Sequence, residues 1–495
     1  MRVAENNVLC LGQVDIDDVE LDARSRDDVP AALQGIQFLH RDKDVLQRIL
    51  HLLSSDLFRS AEPEGDSRGA EEHRKRNGID PNVGRPGMSL WSILVLAILK
   101  QALNCDYDRL HDLACQHLAV RRMMGLSDVF EQGGFSYRTI VRNVSLFTAE
   151  LLDEINQVVV QAGHQLKGLG SGQPLQARCD SFVVETDVEY PTDVRLLWDA
   201  LRSLLRMMGT LYAAFGVAGW RQHRQLMKTG ERLFGRVRTA RQYRKNPQHV
   251  RRHTGFGKQL AERARESLET LAERGVPEAK LQTGKDLAGL VEKLADQVER
   301  RILEGEVIPA SEKIYSVFVP FTRWCSKGKA GVPVELGVPV CVVEDEQQFL
   351  LSCRIMWTES DVDLVPEIIE ETKGKYPELE GCSFDKGFWS PRGKATLGRL
   401  LKNAVLPKKG RLSKADRKRE GREEFRAGRK AHPAVESAIN NLEQRGLDRV
   451  REKSKAGFAR TVALSMLAAN VHRIGMIVRD RERERLRRTG LRRAA

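Results

Sequence analysis

The sequence predicts a mixed α/β protein whose sheet is preceded by an all-helical region and interrupted by a long helical insertion. Three observations carry that expectation. A run enriched in β-branched and apolar residues begins at Leu175 (ARCDSFVVET), and similar runs recur at Lys313–Phe321, Val338–Val343 and Phe349–Met356, the last three suiting an antiparallel meander. Beyond them, strand and helix patterns alternate, as they do in mixed sheets. Between the first strand and the meander, Val194 to Glu304 carries no strand signal at all.

In chain order, residues 1–30 are rich in Asp and Arg without periodicity and are expected to be disordered, and the Gly-, Pro- and charge-rich stretch 61–87 is expected to be loop. Helical patterns occupy Leu39–Leu57, Ser89–Leu103, Tyr107–Met124 and Tyr137–Ala162, where Leu151, Leu152, Ile155 and Val159 keep a helical period. They make residues 31–167 a helical N-terminal domain, followed by the linker GLGSG. After the meander, Glu359–Lys373 is helical and Glu380–Phe384 is a short buried strand. Ser390-Pro391 opens a helix to Leu401 as N-cap and first-turn proline. A strand at Asn403–Leu406, a flexible basic segment, a helix opening at His432-Pro433 and a long helix from Gly457 to about Arg487 complete the core. The resulting domains are 175–193 with 306–475 as the sheet-bearing core, 194–305 as a basic helical insertion, and 476–495 as a basic tail that reads as a solvated helix end.

With 495 residues the chain exceeds a single small module, and 41% apolar with 30% charged residues is the composition of a folded protein. A charge of +13 makes a polyanion the natural partner, nucleic acid first and an anionic membrane surface second. The apolar run Trp91–Leu99 is far short of the ~20 residues that span a bilayer. The acidic N-terminus does not read as a secretory signal, so a cytoplasmic, nucleoid-associated protein is expected. The eight cysteines form no CxxC pair, which favours reduced, structural thiols over zinc ligands.

Three carboxylates stand where packing alone would not put them. Asp180 lies inside an otherwise apolar strand, although Asp prefers turns and caps. Asp385 follows the buried strand CSF, at the carboxyl end where open α/β sheets build their sites. Glu436 lies in the first turn of a helix whose apolar stripe is Val435, Ile439 and Leu442. Each has an ordinary alternative: Asp180 could pair a buried Arg, Asp385 could serve the turn before Gly387, and Glu436 could complement the helix dipole. Together, in a basic α/β chain, they form a hard-oxygen ligand set suited to Mg²⁺, with Mn²⁺ as a substitute, and to phosphoryl chemistry.

The stretches DSFVVETDVEYPTD (180–193), KGKAGVPVELG (327–337), FDKGFWSP (384–391) and HPAVESAINNLEQRGLDR (432–449) resemble, in order, the DDE transposases of bacterial insertion sequences, most nearly the ISNCY-type group. The resemblance runs from about Gly87 to Gly475. It implies an RNase H-like core in which Asp180, Asp385 and Glu436 are the catalytic, metal-holding acids. It also implies an enzyme that binds terminal inverted repeats, cleaves at the element ends and joins the 3′-OH to target DNA, acting as a homodimer when synapsed. Two departures stand out. The insertion falls between the first and second strands, and the Tyr, Arg and Lys that many relatives place around the Glu are here Arg429, His432 and Glu443.

Residues expected to touch DNA follow from charge. Arg195–Lys258 holds 15 Lys and Arg against only Asp199 and Glu231, whereas a solvated helix face normally mixes signs. Arg236, Arg238, Arg241 and Arg244 represent that half. Lys327, Lys329 and Lys386 flank the quoted motifs, and Arg429 and His432 precede Glu436; Lys327 and Lys329 could equally solvate a hairpin loop. Lys394–Lys430 adds 14 basic residues against four acids. Among other acids, Glu185, Asp187 and Asp193 follow Asp180 closely; Asp193 reads as the N-cap of the next helix, and Glu335 stays ambiguous. Two competing functions remain open at this stage: an RNase H-like nuclease without strand transfer, and a transposase-derived DNA-binding protein with no activity.

Overall fold

A computed structural model of the chain describes residues 3–5, 9–59, 87–129, 134–170, 172–216, 219–326 and 334–494. The stretch 61–87, Gly87 excepted, falls outside them. Contacts divide the chain into two compact units, Met1–Glu185 with Val338–Ala495, and Thr186–Gly337. Those limits differ from the boundaries read off the sequence. The N-terminal helices belong with the sheet, because one hydrophobic core runs from Leu33 and Ile36 through Cys179 and Cys341 to Leu467 and Val471. The insertion unit is also wider than 194–305, since Ile314 and Val317 pack against its core.

In the first unit, α1 (Asp28–Arg41) and α2 (Lys43–Arg59) divide at Asp42. The chain then builds α3 (Leu90–Ala102), α4 (Tyr107–Gln116), α5 (Leu118–Met123), α6 (Tyr137–Val144) and α7 (Ala149–Leu166). Two of the long patterns are thus two helices each. His117 breaks the first while its ring accepts from the Val120 N–H, and Thr148 caps α7 through the Leu151 N–H at 3.1 Å. The described part of residues 1–30 is folded, contrary to expectation. Ile16 and Val19 are buried, and the amide of Gln37 donates to their carbonyls at 2.9 and 2.8 Å, a tie that the absence of local periodicity conceals.

β1 (Leu175–Thr186) leads into the second unit, where α8 (Asp193–Phe215), α9 (His223–Gly235), α10 (Ala240–Lys245), α11 (Pro247–Ala272) and α12 (Glu278–Val298) enclose a core around Leu197, Leu204, Leu260 and Leu294. The predicted strand Lys313–Phe321 does not form. Its apolar residues pack onto the helical core, and the strand comes later, as β2 (Arg323–Ser326). Then follow β3 (Val334–Asp345), β4 (Leu350–Ile355), α13 (Asp361–Lys375), β5 (Leu379–Phe384), α14 (Pro391–Leu400) and β6 (Asn403–Val405). The basic segment expected to be flexible forms α15 (Lys414–Glu420) and α16 (Glu423–Ala431) instead. A reciprocal cap between Ser413 and Asp416 starts α15, and Asp416 also receives Lys408 at 2.6 Å and Lys394 at 3.2 Å. The chain closes with α17 (Val435–Leu442), β7 (Arg449–Val450) and α18 (Lys455–Ala494).

The described strands form one seven-stranded mixed sheet in the order β2-β3-β1-β5-β6, with β4 also on β3 and β7 also on β1. β1 and β5 run parallel, with Arg178 opposite Ser383 and Cys179 opposite Phe384; β5 and β6 are also parallel. β3 is antiparallel to β4. Its contacts with β1 pair Glu346 with Gln176 and Glu344 with Arg178, so the order reverses and that pair is antiparallel too. Alternation along β1 sends Ala177 and Cys179 into the core and leaves Gln176, Arg178 and Asp180 on the other face.

α18 is the one helix among the described residues long and apolar enough, by length and composition, to cross a membrane, and 67% of its apolar window is buried inside the protein. The expectation based on Trp91–Leu99 had passed over it. Its arginines are also not simply solvated: Arg483 donates to the Ala23 carbonyl at 2.6 Å, and Arg479 to that of Ser25 at 3.4 Å. α1 and α18 meet backbone to backbone at two glycines. A Cβ on Gly35 would lie 2.0 Å from the Val471 carbonyl oxygen, and one on Gly475 would lie 1.8 Å from that of Ala31. Neither carbonyl can retreat without moving a helix. Gly35→Ala is therefore expected to cost about 3 kcal/mol or more. Gly289→Ala, where a Cβ meets nothing within 4 Å inside α12, should stabilise its helix by about 0.5–1 kcal/mol. Urea-unfolding midpoints of the two variants against the parent check both signs.

Candidate active site

The site begins where a ladder ends. β5 accompanies β1 only as far as the Cys179–Phe384 pair, so Asp180 stands one residue beyond the parallel pairing and Asp385 leaves the end of the partner strand. A strand-interior Asp is tolerable at such a point because its neighbour's backbone is released from the ladder. Accordingly, the Ser181 N–H donates to Asp180 Oδ1 at 2.8 Å. Asp385 is exposed at the start of a single 3₁₀ turn, Lys386–Phe388. Phe388 anchors that turn, being buried with its ring 6.2 Å from Phe384. Glu436 is exposed in the first turn of α17, whose opposite side is held down by Val435, Ala438 and Leu442.

Of the three acids predicted from separate stretches of chain, Asp385 and Glu436 both act electrostatically on Asp180. The Asp180 carboxyl is pushed up to about 6, first by burial and then by the charges of Asp385, Asp361 and Glu436, with the Ser181 N–H pulling the other way. Of the ordinary alternatives, the first-turn place of Glu436 suits the helix dipole, whereas those for Asp180 and Asp385 find no support. Arg178, the basic residue nearest along the strand, pairs with Glu344 at 3.2 Å, and Asp385 makes no capping hydrogen bond.

Asp361 is the member that sequence reasoning missed. It is the first residue of α13, and its Oδ1 is buried without a hydrogen-bond partner. Its charge acts on Asp180, Cys179 and Cys341 alike. The sequence offered only a helix start there, and no local signal separates Asp361 from Asp363.

His432 stands in the same field. Its Nδ1 lies 3.2 Å from Ser383 Oγ, and burial holds the imidazole below its ordinary value, opposed by Asp385 and Glu436 and aided by Arg178. At neutral pH it is therefore a hydrogen-bonding imidazole rather than a standing cation. Lys386 and Arg429 are exposed on the turn after β5 and on α16. Arg236, Arg238 and Arg241 are exposed at the end of α9 and in α10 of the insertion unit. The Arg244 side chain, Lys327 and Lys329 lie outside the described residues. Other acids are accounted for: Glu185 pairs with Arg449 at 3.0 Å, and Asp193 begins α8 rather than capping it. Asp193 is buried against Arg301 and accepts from the Gln297 amide at 2.7 Å.

Among the described residues, no three His, Cys, Asp or Glu side chains stand close enough together to hold a metal ion. The donor set nevertheless fits a hard divalent cation in kind: carboxylate oxygens only, one of them buried and unpartnered. Compared with known proteins, the chain matches no family model, no curated protein and no solved structure.

The raised Asp180 carboxyl has a consequence for stability. Its folded-state value of about 6 exceeds the ordinary 3.8, so the folded chain holds that proton more tightly than the unfolded one, and stability falls as pH rises between those values. Asp180→Asn, which cannot ionise, should therefore melt at a higher temperature than the parent at pH 7.5. The two melting curves should converge once the pH falls below 3.8. Paired thermal unfolding at pH 7.5 and 3.5 reads the difference.

Proposed function

We propose that the chain is a DNA transposase of the DDE kind, with an RNase H-like core and with Asp180, Asp385 and Glu436 as its catalytic acids. The observation that carries this reading is that the charges of Asp385, Glu436 and Asp361 all bear on Asp180, just beyond the end of the parallel β1–β5 pairing. The strand order, with β3 and β4 antiparallel on one side of β1 and β5 and β6 parallel on the other, also supports it. So does the exposed cationic surface: Lys386 and Arg429 near the acids suit phosphates of the reacting strand, and Arg236, Arg238 and Arg241 suit a longer stretch of backbone.

The reaction is two in-line displacements at phosphorus. Water cleaves the strand at each element end, releasing a 3′-OH and a 5′-phosphate, and that 3′-OH then attacks a phosphodiester of target DNA, forming the new P–O bond as the target's own 3′ oxygen leaves and takes up a proton. The carboxylates of Asp180, Asp385 and Glu436, with Asp361 beside them, would hold Mg²⁺ or Mn²⁺, whose bound form supplies Lewis-acid stabilisation of the attacking and leaving oxygens. His432, held through Ser383, lies in the field of Asp385 and Glu436 and ties the turn leading into α17 to β5. Two DNA ends have to be held together for strand transfer, so a homodimer on DNA is part of the proposal.

Binding is spread over many lysines and arginines, whereas chemistry depends on a few acids. Asp385→Ala should accordingly lower strand cleavage of the element's own ends at least about a hundredfold while a gel shift on the same DNA survives. Cleavage at the parental rate would place the chemistry elsewhere. Lost binding would make Asp385 a structural residue. A parent that cleaves but never joins ends to target would be a nuclease. Separately, reversing Arg236, Arg238 and Arg241 to Glu should flatten the salt dependence of binding by about one unit of log–log slope per lost phosphate contact, measured by anisotropy over a salt series. An unchanged slope would leave those residues as a solvated face.

A further inference from the structure

Around Trp324 on β2 the insertion unit gathers aromatic rings that its core does not use. Trp324 is half-buried and stacks on Tyr315, with ring centroids 5.6 Å and planes 28° apart. Tyr190 meets Trp324 from another side, at 5.7 Å and 63°. Tyr315 is buried, so the core accounts for it, but Tyr190 is 67% exposed. Beside them Lys313 Nζ lies 5.3 Å from the Tyr315 ring centre and 5.5 Å from that of Trp324.

The acids around this group are engaged by arginines, with Arg300 shared among Asp296, Glu306 and Glu312. Glu189 is paired with Arg195, Asp193 is buried against Arg301, and Glu312 is tied to Arg300. Lys313 itself has no ion-pair partner among the described residues. An exposed tyrosine edge-on to a tryptophan, with a lysine beside both, combines the two elements that recognise a nucleotide without regard to sequence: a π surface for the base and a cation for the phosphate. A quaternary ammonium ligand is a poor match, because Lys313, within 5.5 Å of the Tyr315 and Trp324 ring centres, would repel it. A neutral, proline-rich peptide would leave the lysine uncompensated. Duplex DNA keeps its bases stacked internally and could offer the rings only its backbone.

We infer that Tyr190 and Trp324, flanked by Lys313, form a stacking platform for an unpaired base of single-stranded DNA, whose phosphate meets the lysine. The inference rests on the DNA reading above and extends it from the charged backbone to the base. Tyr190 is exposed enough to change without disturbing the core, so it is the residue to test.

The experiment is fluorescence anisotropy of the full chain with three labelled probes of equal length: oligo(dT), an abasic phosphodiester of the same charge, and a duplex. The parent should bind oligo(dT) about tenfold more tightly than the abasic probe. Tyr190→Ala should lose about that factor on oligo(dT) alone, and Tyr190→Phe should recover it, since stacking needs the ring and not the hydroxyl. Trp324→Phe, which keeps an aromatic core contact, should weaken oligo(dT) binding by a smaller factor. A parent that binds the duplex but does not distinguish oligo(dT) from the abasic probe overturns the platform and leaves the DNA reading standing. An equal loss on all three probes in Tyr190→Ala also overturns it. No binding to any of the three removes the DNA reading itself, and the platform with it.

Discussion

The short parallel pairing of β1 with β5 is the constraint on which the candidate site depends. It fixes Cys179 opposite Phe384 and then stops, and stopping there does two things at once. It frees the backbone at Asp180 from its ladder, and it delivers Asp385 at the point where the partner strand turns away. Parallel strands need both faces covered. On one face the cover is the apolar core that β1 and β5 share with the N-terminal helices. On the other it comes partly from α16, where Gly428 lets the helix approach Val405 so closely that an added Cβ would lie 2.7 Å from its side chain. α17 follows directly, and so Glu436 is positioned by the packing of the segment before it.

The site is also a local cost to the fold. Burial of Asp180, and secondarily the charges of Asp385, Asp361 and Glu436, raise its carboxyl to about 6. Among the described residues no Lys or Arg is paired with Asp180: Arg178 is committed to Glu344. Structural carboxylates in this protein look different. Asp416 collects Lys394, Lys408 and Ser413, and its carboxyl is held well below the ordinary range. Asp345, fully buried, accepts from two backbone N–H groups and lies 2.5 Å from His164. Acids left uncompensated beside one another are arranged for something other than stability.

The insertion unit divides its labour in a comparable way. Its core is a set of leucines, valines and alanines closed by Trp220 and Trp198, and its acid-rich helices α11 and α12 pair their charges, as in Lys258–Glu299 at 2.6 Å. The stretch that includes α9 and α10 leaves Arg236, Arg238 and Arg241 without acidic partners among the described residues. Two surfaces of that unit are therefore unspent by folding: a one-sided run of arginines and the exposed ring of Tyr190.

The sequence alone determined what local patterns can encode. Ser390 and Pro391 marked a helix start, and the structure has the Ser390 hydroxyl accepting from the Gly393 N–H at 2.9 Å. Runs of β-branched and apolar residues marked β1, β3, β4 and β5 to within a few residues, and Asp180 and Asp385 were conspicuous as acids inside and at the end of such runs. Where a pattern had two competing explanations, only tertiary contacts chose. Lys313–Phe321 has strand composition but finds a helical core before it finds a ladder. The aperiodic N-terminal segment is ordered by Gln37, a partner that no local window contains. Asp361 shows the same limit at the site: as a first-turn acid it is indistinguishable from any helix start, and its place beside Asp180 arises because β4 hands the chain to α13 at the edge of the carboxylate cluster. Pattern fixes which face a residue takes, but only the three-dimensional path of the chain fixes which residues share it.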